Sequence, residues 1–225
     1  MKRELRRHAR RLRRPPWLGV LRRTTPLSDA WGSDRGTPVD RYYIEAFLDR
    51  HRDDIRGRML EVRDSRYTSR FGTAVTAVEV VDVDERNPEA TIVADLAAAD
   101  SIEAESFDGF LLTQTLQYIR DPAVAIRHAR RILKPGGVLL ATVPGISRID
   151  TRHADRDLWR FTPRACSALF AEAWPGDEVE VTAVGNVLAA AAFLYGVAAE
   201  ELDERKLAAH DPNYPVVVCV RAVRR

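Results

Sequence analysis

One stretch in the middle of the chain predicts a strand, a helix and a second strand in unbroken succession, and this order constrains the fold strongly. Residues 107–113 form a nearly continuous apolar run, typical of a strand buried on both faces of a parallel sheet. Asp121 and Pro122 then supply a helix N-cap and a proline at the first helical position, and Lys-Pro-Gly-Gly at 134–137 ends that helix. Since residues 138–143 are again apolar, we predict a βαβ unit of an open α/β sheet, whose ligands bind where the strands end.

The remaining apolar runs extend this unit to a doubly wound α/β sheet of seven strands. The further strands are predicted at residues 59–62, 75–83, 91–93, 178–184 and 214–223, and further helices at 41–52, 162–174 and 186–200. Only about eight residues separate the second and third strands, whereas a crossover helix needs about ten or more. We therefore expect a loop or a shortened helix in that connection.

Composition fits one folded domain with an N-terminal extension. The chain has 225 residues, of which 45% are hydrophobic, enough for a substantial core. The formal net charge of +2 gives no reason by itself to expect a nucleic-acid partner. Cys166 and Cys219 predict neither a disulfide framework nor a metal site. Because the sequence shows no membrane-spanning run and no apolar signal-peptide core, we expect a cytoplasmic protein.

The start of the chain is strongly basic. Residues 1–14 carry eight Lys and Arg side chains and one acid, Glu4, before two prolines that end any helix there. Such a segment suits weak contact with an anionic lipid surface, nucleic acid or an acidic partner, and the alternative is a solvated tail. We predict a basic, flexible tail at 1–16, a loop-like lead-in at 17–40 and the folded domain at 41–225.

Phe-Asp-Gly-Phe at 107–110 and Arg-Ile-Leu-Lys-Pro-Gly-Gly at 131–137 resemble the fourth and fifth strand region of class I S-adenosylmethionine (SAM)-dependent methyltransferases of type 11. The resemblance extends over about residues 36–222. Segments 34–45, 91–96 and 159–162 are similar to those of small methyltransferases found with polysaccharide glycosyltransferases. The resemblance implies a Rossmann-like, mostly parallel seven-stranded sheet with an antiparallel last strand, and SAM as the methyl donor.

In the resembled family, an acid and a glycine-containing turn after the first strand hold the methionine end of SAM. Glu61 stands at the position of the acid, but Arg63 replaces the first glycine. Three outcomes are open. Arg63 can point outward and leave binding intact, pair with the SAM carboxylate, or fill the pocket and abolish binding.

Other candidate cofactor-binding residues follow the next strands. Asp82 and Asp84 end the second strand, where a carboxylate can accept the hydrogens of both ribose hydroxyls. By resemblance, Asp95 and Leu96 approach the adenine, and Gln114 lines the methyl-donor pocket. The alternative for the aspartates is turn capping, and for Gln114 it is helix capping.

The acceptor side is less defined, and no catalytic residue is assigned firmly. His153 lies among Asp150, Asp155 and Asp157 after the fifth strand, so it is a candidate base and, alternatively, a solvated surface residue. The spacing of this cluster fits no standard ligand pattern, and no metal is expected. Arg160 can hold an anionic acceptor or pair with an acid.

The predicted function is a SAM-dependent methyltransferase that acts on a hydroxyl of a sugar, glycan or related small molecule. The alternative is a non-catalytic scaffold of the same fold that binds a glycosyltransferase through residues 186–202. A nucleic-acid methylase guided by the basic tail is disfavoured, because residues 113–116 read Thr-Gln-Thr-Leu and lack the Asn/Asp-Pro-Pro-aromatic motif of base amino-methylases.

Overall fold

The computed structural model describes residues 19–225, so the predicted basic tail at 1–16 lies outside the described residues. The strands are β1 (Arg56–Val62), β2 (Ala74–Asp82), β3 (Ile92–Val93), β4 (Phe107–Thr113), β5 (Leu133–Pro144), β6 (Glu178–Val184) and β7 (Val217–Val223). The α-helices are α1 (Val39–Arg50), α2 (Arg66–Phe71), α3 (Pro122–Ile132), α4 (Pro163–Ala173), α5 (Val187–Tyr195) and α6 (Glu204–Ala208).

The strands form one seven-stranded sheet in the order β3-β2-β1-β4-β5-β7-β6. Strands β1 to β5 pair in parallel, and β7 runs antiparallel to both of its neighbours, β5 and β6. The predicted doubly wound, mostly parallel sheet with an antiparallel last strand is therefore confirmed. Because β1 lies beside β4, the strand order reverses between them, and this reversal marks the ligand-binding edge of such sheets.

The βαβ unit predicted from the sequence is present. The side chain of Asp121 caps α3 by accepting a hydrogen bond from the backbone N–H of Val124 at 3.2 Å. The apolar face of α3 packs against the sheet through Ala125, Ile126, Ala129 and Ile132, all buried. Burying each larger aliphatic side chain contributes about 1.5–3 kcal/mol, so packing fixes this crossover.

Helix α5 differs from its prediction. It ends at Tyr195 rather than at residue 200, because Gly196 takes the left-handed conformation, with φ +67°, and its N–H bonds back to the last turn. Fifth-strand pairing begins earlier than predicted, at Leu133, directly after α3. The connection between β2 and β3 contains no helix, which confirms the expected loop.

Successive strand residues point to opposite faces of the sheet, and each face has its own apolar cluster. Leu60, Phe110 and Leu139 belong to the cluster under α3 and α4. Met59, Leu111 and Leu140 belong to the cluster under α1, α2 and α5. None of the helices within residues 19–225 is long and apolar enough to cross a membrane.

Helix α1 leads through a short connection into β1, so the N-terminus of the helix lies near the edge where β1 ends. Tyr43 is a core residue, since its ring is 2% exposed and its hydroxyl donates a hydrogen bond to the carbonyl of Leu207 at 2.9 Å. Burial raises the pKa of Tyr43 to about 12. Tyr42 is half-buried and lines an outer groove of about 660 Å³ beside Phe71 and Leu202.

Candidate functional site

Glu61 is buried beneath the turn that follows β1. Its side chain is 1% exposed. Its carboxylate accepts hydrogen bonds from the backbone N–H groups of Tyr67, at 3.1 Å, and Thr68, at 2.8 Å. Burial raises the pKa of Glu61 above its ordinary value, and these N–H groups act in the opposite direction. Glu61 therefore holds the start of α2 against the end of β1.

Arg63 has the backbone conformation that a glycine would take. Its φ is +73°, its N–H bonds to the carbonyl of Val81 at 2.9 Å, and the residue is exposed. Within residues 19–225 no hydrogen bond or ion pair involves its guanidinium, whereas the adjacent Asp64 pairs with Arg66. The turn keeps its glycine-like shape while the long side chain stays in solvent. Of the three outcomes for Arg63, this geometry matches the outward one.

Substitutions at Arg63 test whether the turn is strained. A non-glycine residue in the left-handed region costs about 1–2 kcal/mol, and glycine avoids this cost but loses up to about 1 kcal/mol through its freer unfolded state. We expect Arg63→Gly to change the free energy of unfolding by less than about 1 kcal/mol, and Arg63→Val to lower it by about 1 kcal/mol or more, measured by urea denaturation. Equal stability of the two variants would contradict the strained turn.

The structure gives different hydrogen-bond partners to Asp82 and Asp84, the two aspartates at the end of β2. Asp82 is half-buried, and its two oxygens accept hydrogen bonds from the N–H of Asp84, at 3.0 Å, and the side-chain amide of Asn87, at 2.7 Å. The same amide donates to the carbonyl of Arg63 at 2.6 Å, so Asn87 ties the β1 turn to the end of β2. A carboxylate has about four acceptor positions, which leaves Asp82 able to bind a ribose diol.

Asp84 is also half-buried, with 44% of its side chain exposed, but its carboxylate is already paired. Its oxygens pair with the guanidinium of Arg86 at 2.9 and 3.0 Å, and this hydrogen bonding lowers the pKa of Asp84 to about 2. Of the two predicted ribose acids, the geometry favours Asp82. Asn87 was missed from the sequence, and the signal was a lone amide in a connection too short for a helix.

Asp95 and Leu96 follow β3 at the same edge. Asp95 is exposed and caps a short 3₁₀ helix, since its side chain accepts from the N–H of Ala97 at 2.8 Å. This capping agrees with the alternative interpretation of Asp95 as a turn acid. Leu96 is buried, and Val83, which follows Asp82, is 56% exposed. Val83 thus presents an apolar side chain beside the carboxylate of Asp82, whereas Leu96 packs in the core cluster under α3 and α4.

Gln114 directly follows β4 and takes the left-handed conformation, with φ +47°. Its N–H donates to the carbonyl of Thr142 at 2.8 Å, and its own carbonyl accepts from the side chain of Gln117 at 2.9 Å. The side-chain nitrogen of Gln114 is buried and has no hydrogen-bond partner within the described part of the chain. No side chain caps the 3₁₀ helix that follows, so helix capping does not explain Gln114. This buried amide nitrogen is therefore available to donate a hydrogen bond to an acceptor.

Asp40 and Arg41, which sequence reasoning missed, lie at the N-terminus of α1. Arg41 donates a hydrogen bond from Nη1 to the hydroxyl of Tyr67 at 3.2 Å, which places it beside the β1 turn. Burial raises the pKa of Asp40, and the charge of Asp40 raises that of Arg41. A carboxylate and a guanidinium side by side at the start of an apolar helix were the available signal.

On the acceptor side, the structure brings His153 against Asp150. His153 Nδ1 lies 2.9 Å from Asp150 Oδ2, and the hydroxyl of Tyr118 donates to the same oxygen at 3.1 Å. Hydrogen bonds from His153, the N–H of Arg152 and Tyr118 lower the pKa of Asp150, although burial opposes them. His153 is therefore held by a buried acid and is not a freely solvated side chain. Asp155 is exposed.

The guanidinium of Arg160 pairs with the carboxylate of Asp157, so it is not free to bind an anionic acceptor. Arg160 Nη1 and Nη2 contact the two oxygens of Asp157 at 2.5 and 2.9 Å, and Nη2 also donates to the carbonyl of Arg148 at 2.7 Å. The Asp157 side chain is 2% exposed. These bonds lower the pKa of Asp157 and raise that of Arg160. The pair fixes the loop between β5 and α4.

Aromatic residues frame the same loop. Trp159 is 42% exposed, and its indole N–H donates to the carbonyl of Ile119 at 2.9 Å, which fixes the ring. Trp31 reaches the loop from the N-terminal lead-in, donating to the hydroxyl of Ser147 at 3.1 Å, and the Arg148 guanidinium lies 4.1 Å from its ring centre. A fixed, exposed indole is a surface on which a flat ligand or a sugar ring can stack.

Residues 59–141 match the family model of a methyltransferase domain. This range runs from β1 to β5 and contains Glu61, Arg63, Asp82 and Gln114. No curated protein sequence matches the chain.

The chain is similar in fold to several solved structures. A SAM-dependent methyltransferase from Mesorhizobium loti is 17% identical, with TM-score 0.52, and the match covers 83% of this chain and 98% of that one. The 1,6-didemethyltoxoflavin-N1-methyltransferase of Burkholderia thailandensis, solved with S-adenosylhomocysteine, is 17% identical, with TM-score 0.54 and coverage of 87% and 81%. The cyclase SpnF is also 17% identical, with TM-score 0.55 and coverage of 90% and 87%. At these identities the similarity shows the fold alone, and the cyclase illustrates that one fold serves different reactions.

Proposed function

We propose that this protein is a SAM-dependent methyltransferase that methylates a hydroxyl of a sugar, glycan or related small molecule. The observation that carries the proposal is the turn after β1. Arg63 keeps the positive φ of a glycine turn and stays exposed, so the residue that departs from the family pattern leaves the donor edge open. The methyltransferase-domain match at residues 59–141 supports the same function.

The side chains at the donor edge fit the parts of SAM. Asp82 would accept hydrogen bonds from the ribose hydroxyls, and the exposed Val83 would cover the adenine. The buried, unpartnered amide of Gln114 would donate to a carboxylate oxygen at the methionine end. Asp40 and Arg41 add one carboxylate and one guanidinium beside the β1 turn, complementary to the ammonium and carboxylate of that end.

SAM supplies an electrophilic methyl group when bound. The protein then has to align an acceptor oxygen behind that methyl, and alignment alone accounts for a large part of the acceleration of such displacements. Tyr118 and the loop after β5 stand at the sheet edge where β4 and β5 end, beside the donor residues. These elements would line the acceptor side.

A sugar acceptor is supported by two features. Trp159 offers an exposed indole fixed by its hydrogen bond, and Ile149 and Leu158 beside it are 52% and 48% exposed. Aromatic faces pack against the C–H surfaces of sugar rings, and the resemblance to methyltransferases found with polysaccharide glycosyltransferases points to the same class. The paired state of Arg160 favours a neutral acceptor group at this position.

Calorimetric titration of S-adenosylhomocysteine tests the donor site. We expect the wild type to bind with a dissociation constant in the micromolar range, because Arg63 lies outside the pocket. Arg63→Gly is expected to bind within about threefold of the wild type, equivalent to less than about 0.7 kcal/mol. Absence of binding by the wild type, with binding restored in Arg63→Gly, would contradict the proposal and show a lapsed site.

That contrary result would favour a second candidate, a non-catalytic scaffold that partners a glycosyltransferase. Its supporting observation is the start of α5, where Val187 and Leu188 are 59% and 42% exposed. A cytoplasmic location belongs to both candidates, and the free, buried Cys166 and Cys219 are consistent with a reducing compartment.

A further inference from the structure

His153 contacts the carboxylate of Asp150, which further hydrogen bonds hold in place. Asp150 is 9% exposed. Its Oδ1 accepts from the N–H of Arg152 at 3.0 Å, and its Oδ2 accepts from Tyr118 and lies 2.9 Å from His153 Nδ1. An ionised carboxylate is an acceptor only, so in a neutral His153 the proton sits on Nδ1 and the lone pair on Nε2.

The frame behind this pair is itself fixed. The backbone N–H of Asp150 donates to Asp157 Oδ2 at 2.8 Å, and Asp157 is clamped by Arg160. Tyr118 packs edge-on against the imidazole, with ring centres 5.7 Å apart. The exposed fraction of the His153 side chain is 46%, so the ring is oriented on one side and accessible on the other.

The His153–Asp150 pair also lies at the sheet edge that carries the donor residues. Tyr118 ends the 3₁₀ helix Leu116–Tyr118 directly after Gln114, and the loop with His153 follows β5. Strand β4 is flanked by β1 on one side and β5 on the other. The imidazole therefore belongs to the sheet edge that carries the donor residues, on the side of the acceptor loop.

From this geometry we propose that His153, oriented by Asp150, is the general base for the acceptor hydroxyl; the inference depends on the methyltransferase function proposed above. The hydroxyl oxygen forms a bond to the methyl carbon as the carbon–sulfur bond breaks, and the electron pair of that bond stays on sulfur. His153 Nε2 takes the hydroxyl proton, and Asp150 stabilises the resulting imidazolium. Asp150 is a positioning residue, in the arrangement of base and orienting acid common to nucleophilic catalysis.

The pH dependence of this step has several contributors. The titratable and charged groups facing the imidazole or its carboxylate are Asp150, Tyr118, Asp157 and Arg160, with Arg152, Asp155 and Arg156 on the same loop. Because a base must be neutral to accept a proton, the wild-type rate falls at acid pH. This fall in rate at acid pH, the acid limb of the pH profile, is expected to be absent from a variant that lacks the imidazole.

The test combines a transfer assay with a matched control. Radiolabelled SAM would be offered with a panel of methyl hexosides and nucleotide sugars. We expect His153→Gln to lower kcat about 100-fold or more and to remove the acid limb, within the 10²–10⁴ range of general base catalysis. Asp150→Asn is expected to lower kcat at unchanged KM. His51→Gln is the control, since His51 also faces an aspartate three residues away in the chain, Asp54 at 3.7 Å, but stands beside the start of β1.

Two readouts separate the inference from the proposed function. S-adenosylhomocysteine affinity within threefold of wild type in His153→Gln keeps the donor site intact, whereas no binding by the wild type refutes the methyltransferase function itself. Methyl transfer by His153→Gln at more than a third of the wild-type rate would contradict the role of His153 as the general base. If no sugar of the panel is methylated, ¹⁵N NMR of the protein bound to S-adenosylhomocysteine shows which nitrogen of His153 carries the proton. A neutral His153 protonated on Nδ1 supports the inference, and one protonated on Nε2 overturns it.

Discussion

Asp82→Ala is expected to weaken S-adenosylhomocysteine binding about 10- to 150-fold, because hydrogen bonds to a charged acceptor contribute about 1.5–3 kcal/mol. Asp82 is half-buried at the end of β2. Under the proposed function, loss of its carboxylate removes the group that would accept hydrogen bonds from the ribose diol. The measurement is calorimetric titration with the same ligand as for Arg63.

Asp84→Ala is the matched control. The same side chain is removed two residues away, but the oxygens of Asp84 are bound by the guanidinium of Arg86. We expect its affinity to stay within about threefold of the wild type, or about 0.7 kcal/mol. Equal losses in the two variants would show that Asp82 acts through the fold of the loop and not through the ribose.

Glu61→Ala is expected to lower the free energy of unfolding by about 2–4 kcal/mol, because it leaves the two N–H groups at the start of α2 buried without an acceptor. The cost is reduced by the burial of the carboxylate itself, which raises its pKa. Urea denaturation followed by circular dichroism gives the value. The same variant should also lose cofactor affinity, since the turn carrying Arg63 is anchored beside Glu61.

Glu79→Ala provides the comparison for stability. Glu79 lies on the neighbouring strand β2, its side chain is 29% exposed, and it forms an ion pair with Arg58 at 3.4 Å. Such a pair contributes at most about 1 kcal/mol. A loss from Glu61→Ala no larger than that from Glu79→Ala would contradict the positioning role of Glu61.

Because the pKa of Glu61 is raised in the folded protein, the contribution of Glu61 to the free energy of unfolding depends on pH. A carboxyl group whose pKa is raised by folding binds its proton more tightly in the folded state, so its contribution to stability grows as pH falls toward the ordinary value near 4.5. Asp150 and Asp157 act in the opposite sense, because folding lowers their pKa. Their contribution is present above about pH 3.8 and is lost as pH falls through their lowered values.

Sequence reasoning located the elements with local signals. Strands β4 and β6 have the predicted bounds, and Asp121-Pro122 begins α3 as expected, because a capping side chain and a proline act within one turn. It placed the end of α5 five residues too late, since the apolar run continues beyond Gly196. A glycine inside a helical pattern is tolerated or ends the helix, and tertiary contacts decide between these.

The acid pair at the end of β2 shows a different limit. Asp82 and Asp84 carry the same side chain at the same strand end, so both were predicted as ribose ligands. Their roles separate only when Arg86 folds back onto Asp84 and Asn87 reaches across to Asp82. Such side-chain contacts in an irregular connection have no periodic signal.

The sequence by itself determined the sheet, its crossover helix and the departure at Arg63, because these depend on local apolar patterns and on the identity of one turn residue. Only the tertiary structure decided what that departure means. The positive φ at Arg63 and its exposed side chain follow from the backbone bonds of β1 and β2. The His153–Asp150 pair likewise depends on Tyr118, which precedes β5 in the chain, and on Arg160, near the end of the loop between β5 and α4. Contacts between such separate segments form when the chain folds, so no local pattern reveals them.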